Sequence, residues 1–395
     1  MPTEETPSAR PSPPQEGHDL ALVLTGGGAR AAYQVGVLRT VWHNFPDAAP
    51  QVITGVSAGA INAAFLAAHP GDSRDAAQDL RDLWLDIGPE DVFQIGTGTL
   101  TSNFLRWGVR LLSGGSAKAP QVRSLLDTTP LRAFLERALS AVDGEIAGIS
   151  NNLEKGRLKA FALSGLNYGT GQTVTWVQGC EISTWERPHR VSLKTRMTVD
   201  HVLASSSLPI LFPAVNIQGN WYGDGGIRQS APLSPPIHLG ANRIIAVSTR
   251  YARSGGEAAL PVISGYPPPA QILGTMLNAV FLDMIDQDAL RLTRFNALLN
   301  ELPEERRGGM RPIDLLVLRP SRDLGRLAAE YESKLPRTFR FLTRGLGTRE
   351  TASPDLLSLL MFQSDYLAEL IRVGERDTEA RLDEIERLVT GAGGQ

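Results

Sequence analysis

The sequence predicts an α/β protein in which helices cover both faces of a parallel sheet, followed by a mostly helical C-terminal stretch. Three observations carry this. Asp19 to Thr25 is a short apolar run (LALVLT) that ends in Gly26-Gly27-Gly28, and Ala29 to Trp42 then repeats apolar side chains at helical spacing. Gln51 to Thr54 is a second short strand; it leads into Gly55-Val56-Ser57-Ala58-Gly59 and a small-residue helix, Ala58 to Ala68, closed by His69-Pro70. Arg243 to Thr249 (RIIAVST) is another core strand. The order strand, glycine loop, helix, strand, serine turn, helix is that of parallel strands with helical crossovers.

The remaining elements follow in order. Arg74 to Ile87 and Pro130 to Val142 read as helices. Between them, Phe93 to Ala119 is rich in Gly, Ser and Thr and carries the apolar and basic segment Asn103 to Leu112. Lys159 to Asn167 and Gln172 to Gln178 read as strands, and Thr198 to Ser207 as a helix stopped by Leu208-Pro209. Ala214 to Gln218 and Trp221-Tyr222 form a hairpin around Gly219-Asn220. Ser254 to Pro269 reads as a Gly- and Pro-rich loop or linker, Gln271 to Asn300 as a long helical stretch, and Ile313 to Leu318 as one more strand. Helices are expected from Asp355 to Ile371 and from Glu375 to Leu388. This divides the chain into a disordered start (1–18), a catalytic region (19–250) and a mostly helical extension with one added strand (251–395).

Composition sets limits. The 395 residues are 42% hydrophobic and 21% charged with a net charge of −3, ordinary for a globular protein and no electrostatic case for nucleic acid. The first 18 residues, rich in Pro, Glu and Ser, cannot offset chain entropy by burial and carry no signal-peptide pattern. No apolar stretch approaches the ~20 residues of a bilayer span. The expectation is a cytoplasmic protein, with peripheral membrane contact left open. The single cysteine, Cys180, excludes an intrachain disulfide, and nothing beside it looks like an activating base.

Gly55 to Gly59 is a G-x-S-x-G string. A serine on a sharp strand-to-helix turn needs glycines two before and two after it, because side chains there would clash. Ser57 is therefore the candidate nucleophile, with the positive end of the following helix behind it. Gly26, Gly28 and Ala31 also fit a dinucleotide-binding fingerprint, but no acidic residue ends the second strand; Ser57 is there instead. The loop Gly26-Gly27-Gly28 then reads as backbone donors for an oxyanion. Of six histidines (18, 43, 69, 189, 201 and 238), none has neighbours that single it out as the base. Asp224, directly after a strand and before Gly225-Gly226, can approach another loop closely and accept the Ser57 proton; the alternative is an aspartate that caps its own turn.

With these residues the chain resembles the patatin-like phospholipases. The marks are Gly26-Gly27-Gly28-Ala29-Arg30, the elbow Gly55 to Gly59, the Asp224-Gly225-Gly226 turn and the segment Ala204 to Ala214 before it. The resemblance covers roughly residues 19 to 250. It implies a three-layer α/β/α fold with a mainly parallel sheet, a Ser57–Asp224 dyad, an oxyanion loop at Gly26 to Gly28, no metal or other cofactor, and an acyl-lipid substrate such as a phospholipid met at a membrane surface. Thr25 stands where many members have Asp, and Ala31 where many have Gly; neither change removes a catalytic group. Arg30 is expected either to hold the glycine loop, to meet a lipid phosphate, or to face solvent or a nearby carboxylate. Rival readings are a lysophospholipase, thioesterase or acyltransferase on the same dyad, a lipid-binding or regulatory protein without catalysis, and a Ser–His–Asp hydrolase. The segment Phe104 to Leu112 is a candidate lid or membrane-surface helix, or an ordinary core helix. The apolar run in Asp355 to Ile371 is expected to serve packing or a homo-oligomer contact.

Overall fold

The apolar runs become ten strands among the described residues: β1 (Leu20–Leu24), β2 (Val52–Gly55), β3 (Ala160–Asn167), β4 (Thr173–Gly179), β5 (Glu186–Arg187), β6 (Arg190–Lys194), β7 (Val215–Ile217), β8 (Asn220–Asp224), β9 (Arg243–Val247) and β10 (Asp314–Leu318). The computed structural model describes residues 19–94, 124–259, 263, 265–281, 283–335, 340, 343–345, 347–351 and 353–391. The start, residues 1–18, and the segment Phe104 to Leu112 lie outside them.

All ten strands join one sheet, ordered β10-β9-β1-β2-β3-β4-β6-β5, with β8 also paired to β3 and β7 to β8. β10, β9, β1, β2 and β3 are mutually parallel, and β4 returns antiparallel along β3. Alternate side chains of the central strands enter two separate cores. Leu20, Leu22 and Leu24 of β1 face one, together with Phe161 and Leu163 of β3. Ala21 and Val23 face the other, with Ala160 and Ala162. A strand buried on both faces needs no polar alternation, and this is why these runs are continuously apolar.

The principal helices are α1 (Ala32–Asn44), α2 (Ala58–Ala68), α3 (Ser73–Asp86), α4 (Thr129–Ala138), α5 (Ala147–Glu154), α6 (Val199–Ser205), α7 (Pro269–Phe281), α8 (Met284–Asn300), α9 (Leu324–Tyr331), α10 (Asp355–Leu360), α11 (Ser364–Glu379) and α12 (Leu382–Thr390). α1 and α11 touch backbone to backbone through two glycines. A Cβ on Gly36 would lie 2.0 Å from the Ile371 carbonyl oxygen, and one on Gly374 would lie 2.3 Å from that of Tyr33. The apolar run Leu356 to Phe362 is packed inside the fold, with Leu356, Leu357, Leu359, Met361 and Phe362 all buried. None of the described helices is long and apolar enough to cross a membrane.

Three expectations are corrected, and a fourth gains detail. The helical stretch Gln271 to Asn300 holds two helices, α7 and α8: Leu277 of α7 packs against Leu356 and Leu359, whereas Ile285 of α8 joins the core of Ala21 and Val23. The helix Asp355 to Ile371 breaks at residues 361–363, where Gln363 is extended (φ −121°, ψ 128°) before Ser364-Asp365 starts α11. The charged helix from Glu375 is interrupted at Ala380-Arg381, where the Arg381 guanidinium donates to the Val317 carbonyl 2.7 Å away and to Glu384. In the β7–β8 hairpin the turn is Gln218-Gly219, not Gly219-Asn220: both turn residues have positive φ (50° and 85°), and Ile217 pairs with Asn220.

Candidate active site

The topology itself brings Ser57 to Asp224. β2 runs along one edge of β3, from Val52 opposite Ala160 to Gly55 opposite Leu163. β8 runs the other way, from Tyr222 opposite Asn167 to Asp224 opposite Gly165. β4 occupies the other edge of β3 over residues 160–166, so β2 and β8 share one edge and meet head-on at Ser164. The chain leaves the sheet at both ends of this junction, through the Ser57 turn and through Asp224-Gly225-Gly226.

Two serines at the end of α6 and just after it stitch the junction. The Ser57 amide donates to the Ser205 carbonyl (3.1 Å) and hydroxyl (3.2 Å), and the Ser205 hydroxyl donates to the Ser164 carbonyl (2.7 Å). The Asp224 amide donates to the Ser207 carbonyl at 3.0 Å. Ser206 lies between them and lines the crevice described below. Gly225 is required here, since a Cβ would come within 2.1 Å of the Ser164 oxygen. Gly226 likewise has Phe281 2.4 Å from its Cβ position.

Ser57 has φ 56° and ψ −134°, a conformation that L-residues rarely hold. The neighbouring glycines make it possible. A Cβ on Gly55 would lie 2.6 Å from the Gly59 carbonyl oxygen, and one on Gly59 would lie 2.4 Å from those of Leu24 and Thr25. Ser57 sits at the N-cap of α2, whose unsatisfied amides favour negative charge beside it.

The glycine loop lies against the same hydroxyl. A Cβ on Gly26 would lie 2.8 Å from the Ser57 Cβ and 3.3 Å from its Oγ. Gly27 and Gly28 have φ of 149° and 55°, and their amides donate to no described residue. The loop is held from behind by buried polar side chains. Thr249 Oγ1 donates to the Gly26 carbonyl (2.6 Å), and Gln34 Nε2 to that of Thr25 (2.8 Å). Asn62 Nδ2 donates to Gln34 Oε1 (2.9 Å), and Trp84 Nε1 to Asn62 Oδ1 (2.7 Å). Gln34, Asn62, Trp84 and Thr249 were missed by sequence reasoning, and Ser205 was reached only as part of the segment Ala204 to Ala214. The one usable signal was a Gln and an Asn at otherwise apolar helix positions.

Asp224 is fully buried. Its two oxygens have different surroundings. Oδ1 accepts the Gly226 amide at 2.8 Å, whereas Oδ2 has no hydrogen-bond partner. Burial pushes the carboxyl up to about 7, against the opposing pull of the Ser57 hydroxyl and the Gly226 amide. No formed hydrogen bond joins the Ser57 hydroxyl to Oδ2. None of the described histidines bonds to either residue. His69 pairs with Asp79 (2.9 Å), His201 with Thr198 (2.8 Å), and His238 stacks on Trp185 (4.7 Å between ring centres). No described cluster of His, Cys, Asp and Glu could hold a metal ion.

Arg30 reaches α10. Its side chain is buried, with Nη2 2.5 Å from Asp355 Oδ1 and Nε donating to Ser358 Oγ at 2.7 Å. Of the expected roles, the nearby carboxylate is the one it meets. Removing one partner leaves a buried charge unpaired, which costs about 3–5 kcal/mol. Asp355→Ala is therefore expected to lose about 3 kcal/mol in urea unfolding, whereas Asp79→Ala, whose carboxylate is largely exposed, should stay within about 0.5 kcal/mol.

An apolar crevice opens from Ser57, between Ala58 and Ile61 of α2, Leu83 of α3 and Ile87 just after it, Leu131 and Phe134 of α4, and Leu359 of α10. Such a cleft suits a hydrocarbon chain attached to a group that reaches the serine.

The family described as patatin-like phospholipase matches residues 22–237. No curated protein matches the sequence. Among solved structures, the chain is similar to VipD from Legionella pneumophila (13% identity, 90% of this chain and 67% of that one, TM-score 0.32). It is also similar to human GIVD cytosolic phospholipase A2 in complex with methyl gamma-linolenyl fluorophosphonate (14%, 95% and 59%, TM-score 0.41). A third is the type III effector ExoU of Pseudomonas aeruginosa (14%, 94% and 54%, TM-score 0.34). The chain thus spans between 54% and 67% of the length of these structures.

Proposed function

The chain belongs to the patatin-like phospholipase family, and from that premise we propose that it is a serine acyl hydrolase cleaving carboxylic esters of phospholipids or other acyl lipids. The observation that supports this reading is the head-on meeting of β2 and β8 on β3, which brings the Ser57 turn and the Asp224 turn to one junction, together with the unpartnered oxygen of the buried Asp224. In the proposed reaction the ionised Asp224 takes the Ser57 proton through Oδ2 as Oγ attacks the acyl carbonyl. The oxyanion is met by the amides of Gly27 and Gly28, which have no described partner. Collapse expels the alcohol, which takes the proton from Asp224, and leaves an acyl-serine. Water then attacks this ester, gives its proton to Asp224, and the fatty acid leaves as the proton returns to Ser57. A substrate in a bilayer is met at a membrane surface, with the acyl chain entering the crevice.

The test is labelling of the folded protein with a fluorophosphonate probe beside fatty-acid release from mixed phospholipid vesicles. Both should occur. A folded protein that neither labels nor releases fatty acid on vesicles overturns the proposal and favours the non-catalytic, lipid-binding reading. Loop geometry gives a second expectation. In Gly28→Ala the new Cβ would sit 2.1 Å from the Leu359 carbonyl oxygen at φ 55°, so the loop must move. Losing one oxyanion donor costs about 10²–10³ in kcat; kcat should fall by about that much, read on a soluble ester.

A further inference from the structure

The family match ends at residue 237, yet the wall of the crevice opposite α2 comes from far beyond it. Leu359, Leu360 and Phe362 lie on α10 and in the break that follows it. This segment is fixed to the site at two points: Arg30 grips Asp355 and Ser358, and the Leu359 carbonyl backs directly onto Gly28. The helix break at residues 361–363 turns Phe362 inward, where its ring stacks on Trp84 (6.3 Å, 19°) and meets Phe93 edge-on (6.4 Å, 77°). An uninterrupted helix would carry these side chains along another face.

Resting on the hydrolase reading, we propose that Leu360 and Phe362 set the length of acyl chain the enzyme accepts, so that chain selectivity is written outside the family's catalytic region. The crevice is narrow and walled almost wholly by apolar side chains. A longer chain must displace part of the lining. Trp84 is locked by its bond to Asn62, which supports the glycine loop, and Ile61 belongs to the helix that carries Ser57. Leu360 and Phe362 carry no such duty. Leu360 is half-buried at the wall and Phe362 closes it against Trp84. Each methylene newly buried contributes about 0.8 kcal/mol, close to fourfold in kcat/KM.

The experiment compares kcat/KM for p-nitrophenyl esters from butyryl to palmitoyl in wild type, Phe362→Ala, Leu360→Ala and Leu360→Trp. The wild type should fall off beyond the length the crevice holds. Phe362→Ala and Leu360→Ala should raise the dodecanoyl-to-butyryl ratio by about tenfold or more, and Leu360→Trp should lower it. Should Phe362→Ala not fold, the opposed pair at Leu360 decides alone. Parallel length profiles in the folded variants overturn the inference while leaving the hydrolase reading intact. If the wild type cleaves no ester and takes no fluorophosphonate, that reading is what has failed. Calorimetric binding of free fatty acids of the same lengths to wild type and Phe362→Ala then tests the wall without catalysis. Equal length dependence there also overturns it.

Discussion

Ser57→Ala is expected to lower fatty-acid release by at least about 10⁴-fold and to abolish fluorophosphonate labelling, with far-UV circular dichroism unchanged. The proposed route has one attacking atom, the Ser57 Oγ, and no described histidine or metal cluster offers another. The remaining machinery survives the change. Alanine keeps the backbone, the amide bonds to Ser205 and the Gly26 contact, so a folded and inactive protein is the outcome that isolates the hydroxyl. Ser57→Gly separates function from strain. A φ of 56° with ψ −134° costs a side-chain-bearing residue about 1–3 kcal/mol, and glycine is relieved of it. The glycine variant should thus be as inactive as the alanine variant but unfold at higher urea than it does. If Ser57→Ala retains labelling, the modified residue found by mass spectrometry is the nucleophile and the dyad is wrong.

The parts of this site that were legible in the sequence are those with local causes. Gly55, Ser57 and Gly59 are dictated by one turn, and Asp224-Gly225-Gly226 by another, so spacing along the chain reveals them. The apolar runs of β1, β2 and β9 were equally plain, because burial on both faces leaves few polar residues in them. What joins the two turns was not legible. β8 pairs with the free edge of β3, about sixty positions away, and register between distant strands leaves no mark on either one. The same holds for Arg30 and Asp355, separated by 325 positions. Trp84, Asn62 and Gln34 look like unrelated helix residues until their side chains meet behind the glycine loop. The breaks in the C-terminal helices were hidden for another reason. Helical periodicity continues through Leu356 to Phe362, and only the need of that segment to face both α9 and the crevice interrupts it.

Asp224→Asn is expected to lower kcat/KM by about 10³–10⁴-fold and, more tellingly, to remove its dependence on pH. Burial pushes the Asp224 carboxyl up to about 7, and only the ionised form can take the Ser57 proton. Wild-type kcat/KM should therefore rise about tenfold per pH unit up to about pH 7 and level off above it. The asparagine keeps the shape and can still accept the Gly226 amide through its carbonyl oxygen, but it has no charge to titrate. Stability should move in the opposite sense. Because the folded value lies above the unfolded value of about 4, the folded state binds the extra proton between the two, and stability falls as pH rises through that window. Above about pH 7 the wild type carries the full cost of a buried charge that Ser57 and Gly226 only partly offset. Asp224→Asn should then be the more stable protein at pH 8 by a few kcal/mol, with the gap closing toward pH 4 in urea titrations at each pH. A carboxylate held for packing alone would lose stability on that substitution. A gain at high pH, together with a flat rate profile, is the mark of a base kept buried for its reactivity. A wild-type rate that stays level between pH 5 and 8 would remove Asp224 from that role.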